Sequence, residues 1–164
     1  MDDLSHSIII ADASPLISFL KIQRFDLLSV LQKQLVCTDF VRSEVRQQKE
    51  ALDRLITQSL ITEVRVELPE HLEIIEELYD QGLGRGEGSS IMLAQATEGT
   101  LLLDDKRARK LASNRGLVLT STAEIMVANI QENICSLEEA DQYIEQWRAM
   151  GEFPVSVSSF LKLL

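Results

Sequence analysis

The sequence predicts an α/β protein with a mostly parallel sheet covered by helices on both faces, and three observations carry that reading. Short apolar runs rich in β-branched residues alternate along the chain with helix-length segments whose apolar residues recur every three or four positions. The runs SIIIA, LVCT, TLLL and LVLT are apolar almost throughout, as expected of strands buried on both sides. Helix caps, glycines and prolines punctuate the boundaries between them.

Residues 7–11 (SIIIA) form the first expected strand, being too short for a helix. Asp12 sits in the turn that leaves it, with Ser14 as a helix cap and Pro15 at the first helical position. Residues 35–38 (LVCT) give a second strand, after which Thr38 or Asp39 caps a long helix running to about Gln58, with Glu44 in its second turn. Residues 61–68 (ITEVRVEL) alternate well enough for a third strand, and Pro69 opens a helix that ends near Gly82. Gly82, Gly84, Gly86 and Gly88 are four of the seven glycines and crowd one loop and the start of a helix that reaches about Glu98.

Residues 100–103 (TLLL) and 117–120 (LVLT) are two further buried strands, separated by a basic helix that Asn114 and Gly116 terminate. Ser121 with Glu124 makes a capping box for the following helix. Ser136 with Glu139 announces a last long helix, which carries Leu137, Ala140, Ile144 and Trp147 at helical spacing and stops at Gly151.

Composition bounds the function. A chain of 164 residues with 45% hydrophobic and 26% charged content suits one self-contained domain. No apolar run approaches the roughly 18 residues of a membrane span, and Asp2 and Asp3 stand where a signal peptide would carry positive charge, so a cytoplasmic location is expected. Cys37 and Cys135 lack CxxC spacing and read as a reduced buried pair. The net charge of −10 repels nucleic acid on average, so binding to it must come from a local basic patch. One exists: Lys106, Arg107, Arg109, Lys110 and Arg115 fall in a stretch free of acids. A solvated helix face, with Ala108, Leu111 and Ala112 as the buried stripe, explains the same pattern.

Five scattered carboxylates, Asp12, Glu44, Glu87, Asp104 and Asp105, lie mostly at strand ends or helix starts. In an alternating strand and helix fold those boundaries gather at one rim of the sheet, where the acids would converge on a metal. Asp12 ends an all-apolar strand, with loop capping as the competing role. Glu87 leads Ile91 and Ala94 on one helical face, although a first-turn acid also favours the helix dipole. Glu44 shares a row with Gln48, Ala51 and Leu55, and an exposed charge fits that pattern equally well. Asp104 and Asp105 point in different directions, so one of the two is expected to reach the metal. All are hard oxygen ligands, and the only imidazoles, His6 and His71, lie away from them, which favours Mg²⁺ or Mn²⁺ over zinc. The glycine spacing is not GxGxxG and no GK[ST] follows, which disfavours a nucleotide cradle. A receiver-like phosphoacceptor would want a second acid beside Asp12 and an aspartate after the third strand, where Leu68 and Pro69 stand.

DASPLI around Asp12, VRSEV around Glu44, GRGEGSSIMLA around Glu87 and LLLDDKRARKLA around Asp104 resemble the PIN-domain nucleases, most closely the small prokaryotic branch related to VapC-type toxins. The likeness covers roughly residues 7–130. It implies a flavodoxin-like α/β/α sandwich with about five strands, residues 1–135 as the nuclease domain and 136–164 as a helical extension packed on it. It also implies Mg²⁺ or Mn²⁺ dependent cleavage of RNA, a homodimer and a cognate antitoxin. Carried over residue by residue, Asp12, Glu87 and Asp104 or Asp105 match the acids that hold metal, Glu44 matches a further catalytic acid, and Ser14 and Thr122 match supporting hydroxyls. Arg85, Lys106 and Arg107 are expected to hold the substrate backbone. The likeness lapses at Thr120, Ser121 and Thr122, where relatives often carry another acid, which weakens the case for two metals. Between Gln131 and Glu152 six acids face the single cation Arg148, a surface suited to a basic protein partner; a non-catalytic protein-binding module of the same fold is the alternative reading.

Overall fold

The computed structural model describes residues 8–164; Ser7 and His6, like Asp2 and Asp3, lie outside them. Five parallel strands, β1 (Ile8–Ala11), β2 (Gln34–Thr38), β3 (Thr62–Val64), β4 (Thr100–Leu102) and β5 (Leu119–Thr120), make one sheet in the order β3-β2-β1-β4-β5. Eight α-helices connect and cover it: α1 (Ala13–Lys21), α2 (Asp39–Glu44), α3 (Lys49–Thr57), α4 (Pro69–Asp80), α5 (Arg85–Thr97), α6 (Lys106–Asn114), α7 (Thr122–Gln131) and α8 (Leu137–Ala149). Short 3-10 segments at Phe25–Leu31 and Phe160–Leu163 complete the described chain.

The central strand shows why the sheet must be covered twice. Successive side chains of a strand point to opposite faces. Ile9 and Ala11 of β1 accordingly join a core with α1, α7 and α8, while Ile10 joins a second core with α4, α5 and α6. The same division separates Leu35 and Cys37 from Val36 on β2, and Leu102 from Leu101 and Leu103 at β4. The result is a three-layer α/β/α sandwich. Both cysteines are free and buried, and burial pushes the Cys37 thiol up to about 12. Among the described residues no helix is long and apolar enough to cross a membrane.

Three elements differ from the sequence reading. The helix expected from residue 38 to 58 is two helices, parted at residues 45–48 where Val45 turns inward and is buried. Strand β3 stops at Val64 because the Val66 N–H donates to Asp39 Oδ1 at 2.9 Å instead of to a neighbouring strand. Ser14 does not cap α1: the helix begins at Ala13, with Asp12 in the cap position and Pro15 third.

Candidate metal centre

Chain order carries β1 to β2 and β3 on one side and then returns to β4 on the other, so the strand order reverses beside β1. In such sheets the crevice at the carboxyl ends of the strands flanking the reversal is the usual ligand site. Asp12 follows β1 and Asp104 follows β4, and the Asp12 N–H donates to Leu102 O at 3.1 Å, which locks the two strand ends together.

Asp12 has the extended backbone of a helix cap, yet its side chain accepts no capping bond. The other side-chain caps of α-helices take the N–H three residues on: Thr38 from Val41, Asp105 from Ala108, Ser121 from Glu124, Ser136 from Glu139. Three residues after Asp12 stands Pro15, which has no N–H to give. Asp12 Oδ1 is consequently buried without a hydrogen-bond partner, in a residue only 4% exposed. Burial raises the Asp12 carboxyl to about 7, with Glu87 adding to the rise, the Ala13 N–H opposing it, and Glu44 and Asp104 adding further. Asp12 therefore feels three of the other carboxylates at once.

Glu87 is half-buried in the first turn of α5 and reaches back to accept from the Gly84 N–H at 3.2 Å. Burial raises its pKa; the Gly84 N–H and Arg107 oppose that rise, while Asp105 and Glu44 reinforce it. Glu44, at the end of α2, is held by the Gly86 N–H at 3.1 Å rather than by a row along one helix. A Cβ on Gly86 would stand 2.6 Å from the Glu44 carboxyl carbon, so the bare glycine admits the acid.

Asp104 and Asp105, rivals in the sequence, divide their work. Asp104 accepts from the Thr122 N–H at 2.8 Å and from its hydroxyl at 2.6 Å, a two-point grip at the start of α7. Burial raises the Asp104 pKa, opposed by Thr122 and Arg109. Asp105 is exposed and caps α6 through the Ala108 N–H at 2.9 Å. Of the two, Asp104 is the acid whose charge Asp12 feels, and Asp105 the one that Glu87 feels. Ser14 is exposed and lines a groove of about 450 Å³ with Asp104, Asp105 and Lys106.

The expected substrate cations fare unequally. Arg85 is engaged within the chain: its guanidinium grips Glu76 at 3.0 and 3.3 Å and lies 3.9 Å from the Tyr79 ring centre. Arg107 donates to Gln81 O at 2.9 Å and covers Gly82, whose φ of +97° favours glycine. Lys106 is exposed at the start of α6 and forms no ion pair among the described residues.

Sequence reasoning missed the residues that hold the acids in place. The Thr38 and Ser89 hydroxyls meet at 2.6 Å in the core, and Ser89 donates onward to Gly86 O at 2.7 Å, which stitches the start of α2 to the first turn of α5 and sets Glu44 against Gly86. Arg109 donates to Leu103 O at 2.6 Å and Thr120 O at 2.8 Å, clamping the ends of β4 and β5. The signals present were a hydroxyl closing an apolar strand at Thr38, a serine pair after Gly88, and one arginine within the basic run.

Among the described residues no three His, Cys, Asp or Glu side chains are close enough as they stand to share one ion. The donors nonetheless fit a hard divalent cation: an unpartnered buried carboxylate oxygen on Asp12, with Glu87, Glu44 and Asp104 around it, disfavours further negative charge and favours a positive one. No curated protein matches the chain. A family model described as a PIN domain matches residues 8–162, including the segment beyond residue 130, and the chain therefore belongs to the PIN-domain family.

Proposed function

We propose that the chain is a divalent-metal-dependent endoribonuclease and the toxin component of a toxin–antitoxin pair. PIN domains are generally nucleases, and the observation that carries the reading to this chain is the orphaned, buried Asp12 carboxylate among three neighbouring acids. Asp12, Glu87 and Asp104 would hold Mg²⁺ or Mn²⁺, with Asp105 at the margin. A bound divalent ion would supply hydroxide from water and neutralise charge on the phosphate. Thr122 fixes the direction of Asp104 and the Gly86 N–H holds Glu44, which would complete the ligand set or orient water. Lys106, in the lining of the groove, is suited to a backbone phosphate, with Arg107 beside Glu87.

Partner readings draw on the surface. The acidic stretch from Glu132 to Glu152 suits a basic antitoxin, and Leu68, Leu72 and Tyr79, 50%, 38% and 47% exposed, leave an apolar strip at α4 that a second copy would cover in a homodimer.

The deciding experiment is RNA cleavage with Mn²⁺, Mg²⁺ or EDTA, run on wild type beside Asp12→Asn. Cleavage by wild type that EDTA abolishes, and loss of at least a hundredfold in a folded Asp12→Asn protein, are expected. Full activity in the variant sinks the assignment. The present spacing of the acids favours a second reading, a binding-only PIN module, and Mn²⁺ titration calorimetry separates the two, since that module takes up no ion.

A further inference from the structure

Phe153 is 74% exposed, the most exposed large hydrophobic side chain among the described residues, and it lines the groove that runs past Asp104, Asp105 and Lys106. Its position is held firmly. Trp147, completely buried, accepts the Glu152 N–H at 2.8 Å through its carbonyl, and Gly151 makes the turn at φ +77°. Glu152 pairs with Lys21 of α1 at 2.7 Å, and Val155 returns to the core. The loop is therefore tied before Phe153 to α1, whose cap is Asp12, and after it to the core, while the ring itself stays in water.

From this placement we propose that Phe153 is a base-stacking subsite, on which an unstacked base of single-stranded RNA lies when its neighbouring phosphate reaches the acidic site. The proposal rests on the nuclease reading. Its physical ground is charge. The groove carries Asp104 and Asp105 against Lys106, its Glu152 being paired with Lys21. Phosphate contacts alone are weak on such a wall, in a chain of net charge −10. A neutral ring attracts a base face without any charge cost, and base–aromatic stacking is sequence-tolerant because every base has a π-face. The subsite selects unpaired strands, since a duplex keeps its bases stacked and out of reach.

Two measurements test this. On a short single-stranded RNA with Mn²⁺, Phe153→Ala should raise KM by roughly 5- to 150-fold, the range that base–aromatic stacking carries, with kcat little changed. Phe153→Trp should retain wild-type KM within a few fold. Because Trp147 is the chain's one tryptophan and is buried, Phe153→Trp also introduces a solvent-facing fluorophore. Its emission should be quenched by a single-stranded oligonucleotide and not by the matching duplex. A wild-type KM in Phe153→Ala, or no quenching, overturns the subsite. A changed sedimentation mass in Phe153→Ala with unchanged KM also overturns it, assigning the ring to a contact between copies. Failure of the nuclease reading looks different: wild type itself does not cleave, and the quenching still decides whether Phe153 meets a base.

Discussion

At Asp12 the chain puts a carboxylate where a helix cap belongs and then withholds the donor it would accept. With Ala at position 15 an N–H appears at the place from which the other side-chain caps draw theirs, and a cap bond of about 1 kcal/mol becomes available. Pro15→Ala is therefore expected to lower the Asp12 pKa from about 7 and to weaken Mn²⁺ binding roughly fivefold, because the cap bond must break first. Stability against pH gives an independent readout. The folded protein holds a proton on Asp12 that the unfolded chain, near 3.8, has released, so stability without metal falls as pH rises from about 4 to 7 and stays low above. In Pro15→Ala that fall should shrink, and added Mn²⁺ should restore less stability at pH 7.5 than in wild type. Denaturant titrations at pH 4.5 and 7.5 check it; identical pH profiles in the two proteins would show that Asp12 never takes the cap bond.

Elements, rather than single residues, bring Glu44 to the site, and this is also where the sequence was least legible. Residues 45–48 (VRQQ) contain neither Gly nor Pro, so local pattern runs a helix straight through them. The break is tertiary: Arg42 reaches Asp53 at 2.9 Å and Glu63 at 3.2 Å, Val45 is buried, and Glu44 turns to the Gly86 N–H. Asp12 and Glu87 were readable because each depends on its own element, a buried strand end and a helix's first turn. The separation of Asp104 from Asp105 depends on Thr122, eighteen residues from Asp104, which no local pattern contains. Gly86→Ala isolates the α2–α5 contact. The added Cβ meets the flexible end of Glu44, which swings away, so stability should change by no more than about 1 kcal/mol. Cleavage should fall roughly 10- to 100-fold, as when a supporting contact is lost. Glu44→Ala should match it, and the double variant should be no worse than either single one. Additive losses in the double variant would show that Gly86 acts through something other than Glu44.

Across the whole molecule, residues 136–164 decide whether the site exists. Their helical spacing announced α8, but nothing in the local sequence said which face of the sheet it covers. In the structure Ala140, Ile144, Trp147 and Phe160 enter the same core as Ile9 and Ala11 of β1 and Leu16 and Phe19 of α1. Trp147 donates its indole N–H to Ser18 O at 2.8 Å and meets the Phe19 ring edge-on at 6.2 Å between centres. One helix thus seals α1 onto the sheet, and Asp12 stands at the cap of α1. Trp147→Ala should cost about 3 to 5 kcal/mol, a large share of the roughly 5 to 15 kcal/mol that keeps a domain folded. A chain ending at residue 135 loses that seal altogether, and with it part of the cover over one face of the central strand. It is expected to show no cooperative unfolding in urea and no Mn²⁺ binding, whereas cooperative unfolding at the full-length midpoint would make the segment an accessory. The Phe153 groove depends on the same packing, because the loop that carries the ring begins where α8 ends.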